Sequence, residues 1–253
     1  MKKDVRLSGI RWLFAFLFLF IPLSSLYASV TIIGSRIIYP SDVSSVDVQL
    51  KNNDAFPYIV ETWFDDGDIN VRPQDPRLTP FITTPPVFRI QPKAGQVVRV
   101  VFTGKKPLPE DRESVFWFNA LQVPPSNLEG TSQQNKMLVM LRTRIKLFYR
   151  PTNLGSPRDL GKKLQVNAVH DARHGYGIRL TNPTPWFASV SNIQATVNHA
   201  PVELEADMVA PFSSHSFWAP GKKISKPLSG KVTVTLVNDQ GARISEDYEV
   251  THN

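Results

Sequence analysis

Little in this chain is equipped for covalent chemistry. It has no cysteine and no G-x-S-x-G, so it offers neither a thiol nor an elbow serine as nucleophile. All five histidines lie beyond Arg150. His170 and His174 stand four apart, a metal-ligand spacing on a helix, but the surrounding D-A-R-H-G-Y-G reads as a turn. Asp65-Asp66-Gly67-Asp68 starts like a calcium loop and lacks the later Gly and Glu of one, so it reads as a solvated turn. No glycine-rich phosphate loop is present. The one basic cluster is Arg142, Arg144 and Lys146, on alternate residues. Alternate residues of a strand share a face. A nucleic-acid site would want such cations spread among exposed aromatics, and these sit in a row on one strand instead.

That strand is Lys136 to Pro151, K-M-L-V-M-L-R-T-R-I-K-L-F-Y-R-P. Its composition is that of a strand, with a proline to stop it. From Arg142 onward the faces split, with Thr143, Ile145, Leu147 and Tyr149 opposite the three cations. From Met137 to Leu141 both faces are apolar: Met137, Val139 and Leu141 on one, Leu138 and Met140 on the other. One apolar face suffices to sit on a core. The spare face needs a second sheet of this protein or a partner. Arg36 is a further cation, inside the apolar strand Val30 to Ile38. Taken alone, it reads as an edge charge that blocks aggregation.

The elements that must position these residues are nearly all strands. Val46 to Asn52 alternates cleanly, and Tyr58 to Phe64, Gln96 to Phe102 and Ser114 to Val123 follow at hairpin spacing. Phe81 to Ile90 contains Pro85-Pro86, a kink with a candidate cis bond. Pro151 to Pro157 is a Pro/Gly-rich joint. Beyond it, short strands continue to Val250, with turns at Asn182-Pro183, Pro220-Gly221 and Asn238 to Gly241. This predicts an all-β chain of two immunoglobulin-like sandwiches, at 29–150 and 158–253, with 151–157 as hinge and a cleft between them.

The first 28 residues read as a secretory signal: Lys2, Lys3, Arg6 and Arg11, an apolar run from Trp12 to Leu23, and a small residue at Ala28. They hold four basic residues and one acid. The remaining 25 basic and 21 acidic residues give a net charge of +4. No later stretch is apolar and long enough to span a bilayer. An exported chain without cysteine must fold on ordinary cores, and about 225 residues suffice for two.

The motifs together carry a resemblance. S-R-I-I-Y-P at Ser35 to Pro40, L-P-E-D-R-E-S-V-F-W-F-N-A-L-Q-V-P-P at Leu108 to Pro125, R-I-K-L-F-Y-R-P at Arg144 to Pro151 and N-D-Q-G at Asn238 to Gly241 resemble the periplasmic chaperones of the chaperone–usher pathway. The likeness spans the whole chain after the signal. Ala120 and Ser35 depart slightly, where a larger aliphatic and a threonine are usual. The resemblance implies two sandwiches set in an L-shape around a cleft. It makes Arg36 and Lys146 the anchor for a pilus subunit's C-terminal carboxylate, replacing the edge-charge reading of Arg36. It makes Met137, Val139 and Leu141 the donor residues that fill a groove in the subunit. Glu113, Arg150 and Asp239 become an interdomain ion network. The implied partners are pilus subunits and an outer-membrane usher, in the periplasm, with no nucleic acid, cofactor, ATP or metal. The polar Pro124 to Gln134 loop and the absence of cysteine suggest the short-loop subclass, associated with rod-like pili rather than thin surface capsules. A secreted adhesin or structural subunit would instead carry an N-terminal donor extension, and a hydrolase would need a nucleophile–base pair. Lys146 has the opposite parity to Met137, Val139 and Leu141, so a bulge, a strong twist or a cleft reached from the strand end is expected.

Overall fold

The computed structural model describes residues 29–71, 73, 79–125, 138–197, 200–228 and 230–250. The expected signal segment, Met137 and most of the Pro124 to Gln134 loop lie outside these residues.

Among the described residues, nine strands come first. They are β1 (Val30–Ile32), β2 (Arg36–Pro40), β3 (Ser45–Asn52), β4 (Tyr58–Asp65), β5 (Phe81–Thr84), β6 (Val87–Ile90), β7 (Gly95–Phe102), β8 (Ser114–Val123) and β9 (Leu141–Arg150). They form two sheets, β1-β3-β7-β5 and β2-β9-β8-β4-β6. In β3, Val48, Leu50 and Asn52 are buried while Asp47, Gln49 and Lys51 are exposed, as period-2 patterning requires of a strand with one solvated face. Val60, Val98, Val100, Phe118 and Leu147 are sealed in the core between the two sheets. Around Phe81 the rings of Tyr39, Phe64, Phe102, Phe116 and Tyr149 pack with centroids 5.1–6.1 Å away, the tilted spacing favoured by aromatic quadrupoles.

Two predicted strands are each broken in two. Val30 to Ile38 is not one strand. Gly34 adopts φ +103°, open to a residue without Cβ, and the chain changes sheets there. β1 runs antiparallel to β3, while β2 runs parallel to β9. Buried Gln122 ties β1 back across the sandwich, accepting from the Val30 N–H and donating to its carbonyl, both at 2.8 Å. Phe81 to Ile90 likewise divides at the prolines into β5 and β6, on opposite sheets, and the Thr84–Pro85 bond is cis.

The chain then makes a 3-10 turn (Thr152–Leu154) and a four-residue helix α1 (Leu160–Lys163). Eight more strands follow: β10 (Gln165–Asp171), β11 (Gly175–Asn182), β12 (Ala188–Val197), β13 (Ala200–Leu204), β14 (Met208–Val209), β15 (Ser213–Phe217), β16 (Gly230–Val237) and β17 (Arg243–Val250). β10-β11-β15 faces β13-β12-β16-β17, with β14 also on β12. A separate core, including Ile178, Leu180, Ile193, Phe217 and Val234, fills this second sandwich. The Met208 to Pro211 segment includes the short strand β14.

Candidate functional site at the cleft and the open edge of β9

The pairing of β9 with β8 is continuous, from Leu141 opposite Gln122 to Tyr149 opposite Ser114. No bulge reconciles Lys146 with the apolar row, so the expected irregularity is absent from β9. Leu141, Thr143, Ile145, Leu147 and Tyr149 face the core side. Arg142, Arg144, Lys146, Phe148 and Arg150 face outward. From Leu141 onward the core row and the cations therefore occupy opposite faces of one regular strand, while Leu138 to Met140, expected within it, precede its first residue.

On its other side β9 is only half covered. β2 pairs with it from Lys146 to Arg150. Among the described residues, Leu141 to Ile145 has no neighbour on that edge. Leading into this open edge are four consecutive exposed apolar residues: Leu138 at 48 %, Val139 at 66 %, Met140 at 54 % and Leu141 at 51 %. A run of this kind is not left bare without a partner surface.

The open edge stops where β2 begins, at Arg36, whose Cα partner is Lys146. The two cations so stand side by side on the outward face. Arg36 donates through Nη1 to the Val237 carbonyl at 2.8 Å, and its guanidinium lies 5.8 Å from the Phe148 ring centroid. Its Nε is buried and has no partner. Burial holds its pKa below the usual value, partly offset by Asp239 and Glu113. The Lys146 pKa is also lowered, by burial first; the charge of Asp207 opposes this, while Arg36 and Arg144 add to it. An unpartnered buried N–H donor thus lies beside a half-buried ammonium, an arrangement suited to charge-assisted hydrogen bonds.

Arg142 and Arg144, earlier in the same row, are satisfied. Asp65, expected in a solvated turn, is fully buried instead. It accepts from Arg144 Nε at 3.0 Å, from Arg144 Nη2, from Asn119 Nδ2 at 2.8 Å and from the Gly67 N–H at 2.9 Å. Burial pushes its carboxyl pKa up, but the bonds from Arg144, Asn119 and Gly67 outweigh that and leave it below the ordinary value. Sequence proximity to Asp66 and Asp68 hid this role. A signal was present, since a row of strand cations calls for a facing carboxylate.

Glu113, Arg150 and Asp239 come together across the joint. Arg150 donates through Nε to Glu113 Oε1 at 2.6 Å and grips Asp239 with Nη1 and Nη2 at 2.8 and 2.9 Å. Glu113 Oε2 accepts the Phe187 N–H at 2.8 Å, and the Glu113 N–H donates to the Pro185 carbonyl at 2.9 Å. Burial raises the Glu113 pKa against the pull of Arg150 and the Phe187 N–H. Asp239 is held by its turn, where Asn238 Oδ1 accepts from the N–H groups of Gln240 and Ala242 and Gly241 takes φ +83°. A cleft of about 530 Å3 opens beside the network, lined by Arg36, Phe148, Arg150, Trp186, Phe187 and Asp239. Lys146 is not on its wall.

Two immunoglobulin-like sandwiches joined by an ion network, with an exposed apolar run leading into an open strand edge that ends at Arg36 and Lys146, define a two-domain assembly chaperone. The family model for the pili and flagellar-assembly chaperone PapD N-terminal domain matches residues 29–155, and that for the pili assembly chaperone PapD C-terminal domain matches 159–248. The chain belongs to this family of pilus-assembly chaperones. It is 40 % identical over 226 residues to the probable fimbrial chaperone YadV of Escherichia coli K12, covering 87 % of this chain and 89 % of that one. It is 39 % identical over 218 residues to the chaperone HifB of Haemophilus influenzae, covering 85 % of each. The crystal structure of YadV superposes with TM-score 0.74 at 36 % identity, covering 88 % of this chain and all of that one.

Proposed function

We propose that this chaperone captures pilus subunits in the periplasm by lending them the open edge of β9, and hands them to an outer-membrane usher. The open edge carries the reading: among the described residues it is unpaired, an exposed apolar run leads into it, and it ends at Arg36 and Lys146. An incoming strand would pair along Leu141 to Ile145, taking up the line that β2 continues. Its C-terminal carboxylate would meet the two cations where β2 blocks further travel. The strand therefore runs parallel to β9, as β2 does. Main-chain pairing contributes roughly 1 kcal/mol net per bond. Val139 and Leu141, with Met137, would enter the subunit groove, each contributing about 1.5–3 kcal/mol if fully buried. Because these residues share parity with the core row of β9, the subunit's core continues the chaperone's own. Residues 29–150 and 158–253 act as the two arms, held at one angle across 151–157 by Glu113, Arg150 and Asp239. Release needs only a competing strand, so no ATP or cofactor enters the cycle, and no catalysis is assigned.

Co-expression of a pilus subunit with the wild-type chain and with Arg36→Ala or Lys146→Ala tests this. Both variants are expected to fold, by circular dichroism, and to leave little subunit in the periplasm. Equal subunit accumulation with the variants would remove the anchor from the mechanism.

A further inference from the structure

A strand that docks on the open edge of β9 has more than one register available. Slipping by two residues moves it about 6.6–6.8 Å and returns every side chain to the same face. The apolar row cannot forbid that slip by parity. What can choose between registers is the anion at the strand's end. Yet the outward face of β9 carries cations at that same two-residue repeat: Arg142, Arg144 and Lys146. Left free, each would anchor a carboxylate.

Two of the three are closed off. Arg144 grips both oxygens of Asp65, and its guanidinium lies 4.6 Å from the Trp117 ring centroid. Arg142 donates through Nε to Asn119 Oδ1 at 2.9 Å and through Nη1 to the Ile69 carbonyl at 2.5 Å, and its Nη2 reaches Asp65 at 3.5 Å. Its guanidinium lies 4.8 Å from the Trp63 ring centroid. Asn119, fully buried between them, donates to the same Asp65 oxygen at 2.8 Å. Lys146 is next in the row, directly opposite Trp117 in register. Among the described residues it has no hydrogen bond or ion pair.

We infer that Asp65 selects the docking register: by holding Arg142 and Arg144 in a closed cluster with Asn119, it leaves Lys146 and Arg36 as the one anchor for an incoming carboxylate. Asp65 is a positioning residue, acting through the arginines and not by touching the subunit. The inference rests on the strand-capture reading and adds to it a reason why capture has a single frame. A purely structural clamp would lower stability or yield without creating a second frame.

The chain has no cysteine, so one can be introduced at Thr143 on the open edge and paired with cysteines placed one at a time along a pilus subunit's C-terminal strand. Co-expressed complexes are purified, oxidised in air and mapped for disulfide-linked species. With Asp65 intact, one subunit position should cross-link. With Asp65→Asn, a second should appear two residues nearer the subunit's C-terminus, because the carboxylate then also docks at Arg144. Adding Arg142→Gln and Arg144→Gln to Asp65→Asn should restore the single position, which loss of a merely structural contact would not do. If Asp65→Asn does not accumulate, Asp65→Asn with Arg142→Gln carries one fewer uncompensated charge and reads competition from Arg144 alone. A single cross-link in either of these, or two in the triple variant, overturns the inference. Lys146→Ala separates the two ideas. If it leaves the original cross-link in place, the anchor reading itself fails. If it abolishes that cross-link while Asp65→Asn keeps one frame, only the role of Asp65 falls.

Discussion

The lent edge makes an unusual demand: residues that dominate binding should contribute almost nothing to the stability of the free protein. Val139 and Leu141 are 66 % and 51 % exposed. Full burial of such side chains is worth about 1.5–3 kcal/mol each. Scaled by the exposed fraction, the gain on docking is about 1–2 kcal/mol for Val139 and about 0.8–1.5 for Leu141. Replacing both with serine should therefore weaken subunit binding by about 2–3.5 kcal/mol, roughly 30- to 300-fold in Kd. The free chaperone should keep its Tm within about 2 °C, since exposed substitutions stay near ±0.5 kcal/mol. The assay is the rate at which a fluorescent donor-strand peptide displaces the chaperone from a purified chaperone–subunit complex, beside a thermal melt of the chaperone alone. Most of the loss should be in faster dissociation. Unchanged exchange with unchanged Tm would show that these side chains do not enter the subunit. A Tm fall of many degrees would show that they serve the chaperone's own core.

Two further outcomes follow from the charges. The Lys146 ammonium already has a pKa below 10.5, and a bound carboxylate favours its charged form. Where the ammonium is already neutral, binding takes up a proton: affinity is full below the lowered free-state pKa, falls above it and is lost as pH rises through the higher bound-state pKa. Subunit dissociation measured from pH 7 to 10 should accelerate at the alkaline end, and Lys146→Arg, which stays charged, should flatten that rise; an identical rise in the variant would refute the assignment. At the joint, Arg150→Ala leaves the Glu113 side chain, 2 % exposed, without its cation. The cost should be about 3–5 kcal/mol, read as a lower melting temperature in calorimetry, whereas Arg150→Ala together with Glu113→Gln should recover a substantial part. No recovery would mean that the loss comes from packing of the Arg150 stem and not from a stranded charge.

Much of the fold was legible because a half-buried strand writes its environment into alternate residues. Val46 to Asn52 and Ser114 to Val123 were found from that alternation and from aromatic content, and both are strands. The changes of sheet were not legible. Val30 to Ile38 is uniformly strand-like, and its only warning is Gly34. Whether a glycine in a strand marks a bulge, a bend or a sheet change depends on what lies on either side of it. The site residues divide in the same way. Lys146 and Arg36 were named from motif, and the structure sets them side by side. Asp65 was missed because its neighbours in sequence are those of a solvated turn, while its partners Arg142 and Arg144 lie 77 and 79 residues away.

The sequence by itself determined most of the strands, the spare apolar run before Leu141 and the row of cations after it, all properties of near neighbours in the chain. It could not rank Arg144 against Lys146. They are two residues apart, on one face of one strand, and both carry a full positive charge. The tertiary structure separates them: β4 brings Asp65 against the first, and β2 brings a second cation, Arg36, beside the other. Coulomb energy depends on distance through space and on the local dielectric, neither of which is encoded in sequence separation, so only the folded sheet decides which cation meets a carboxylate and which does not.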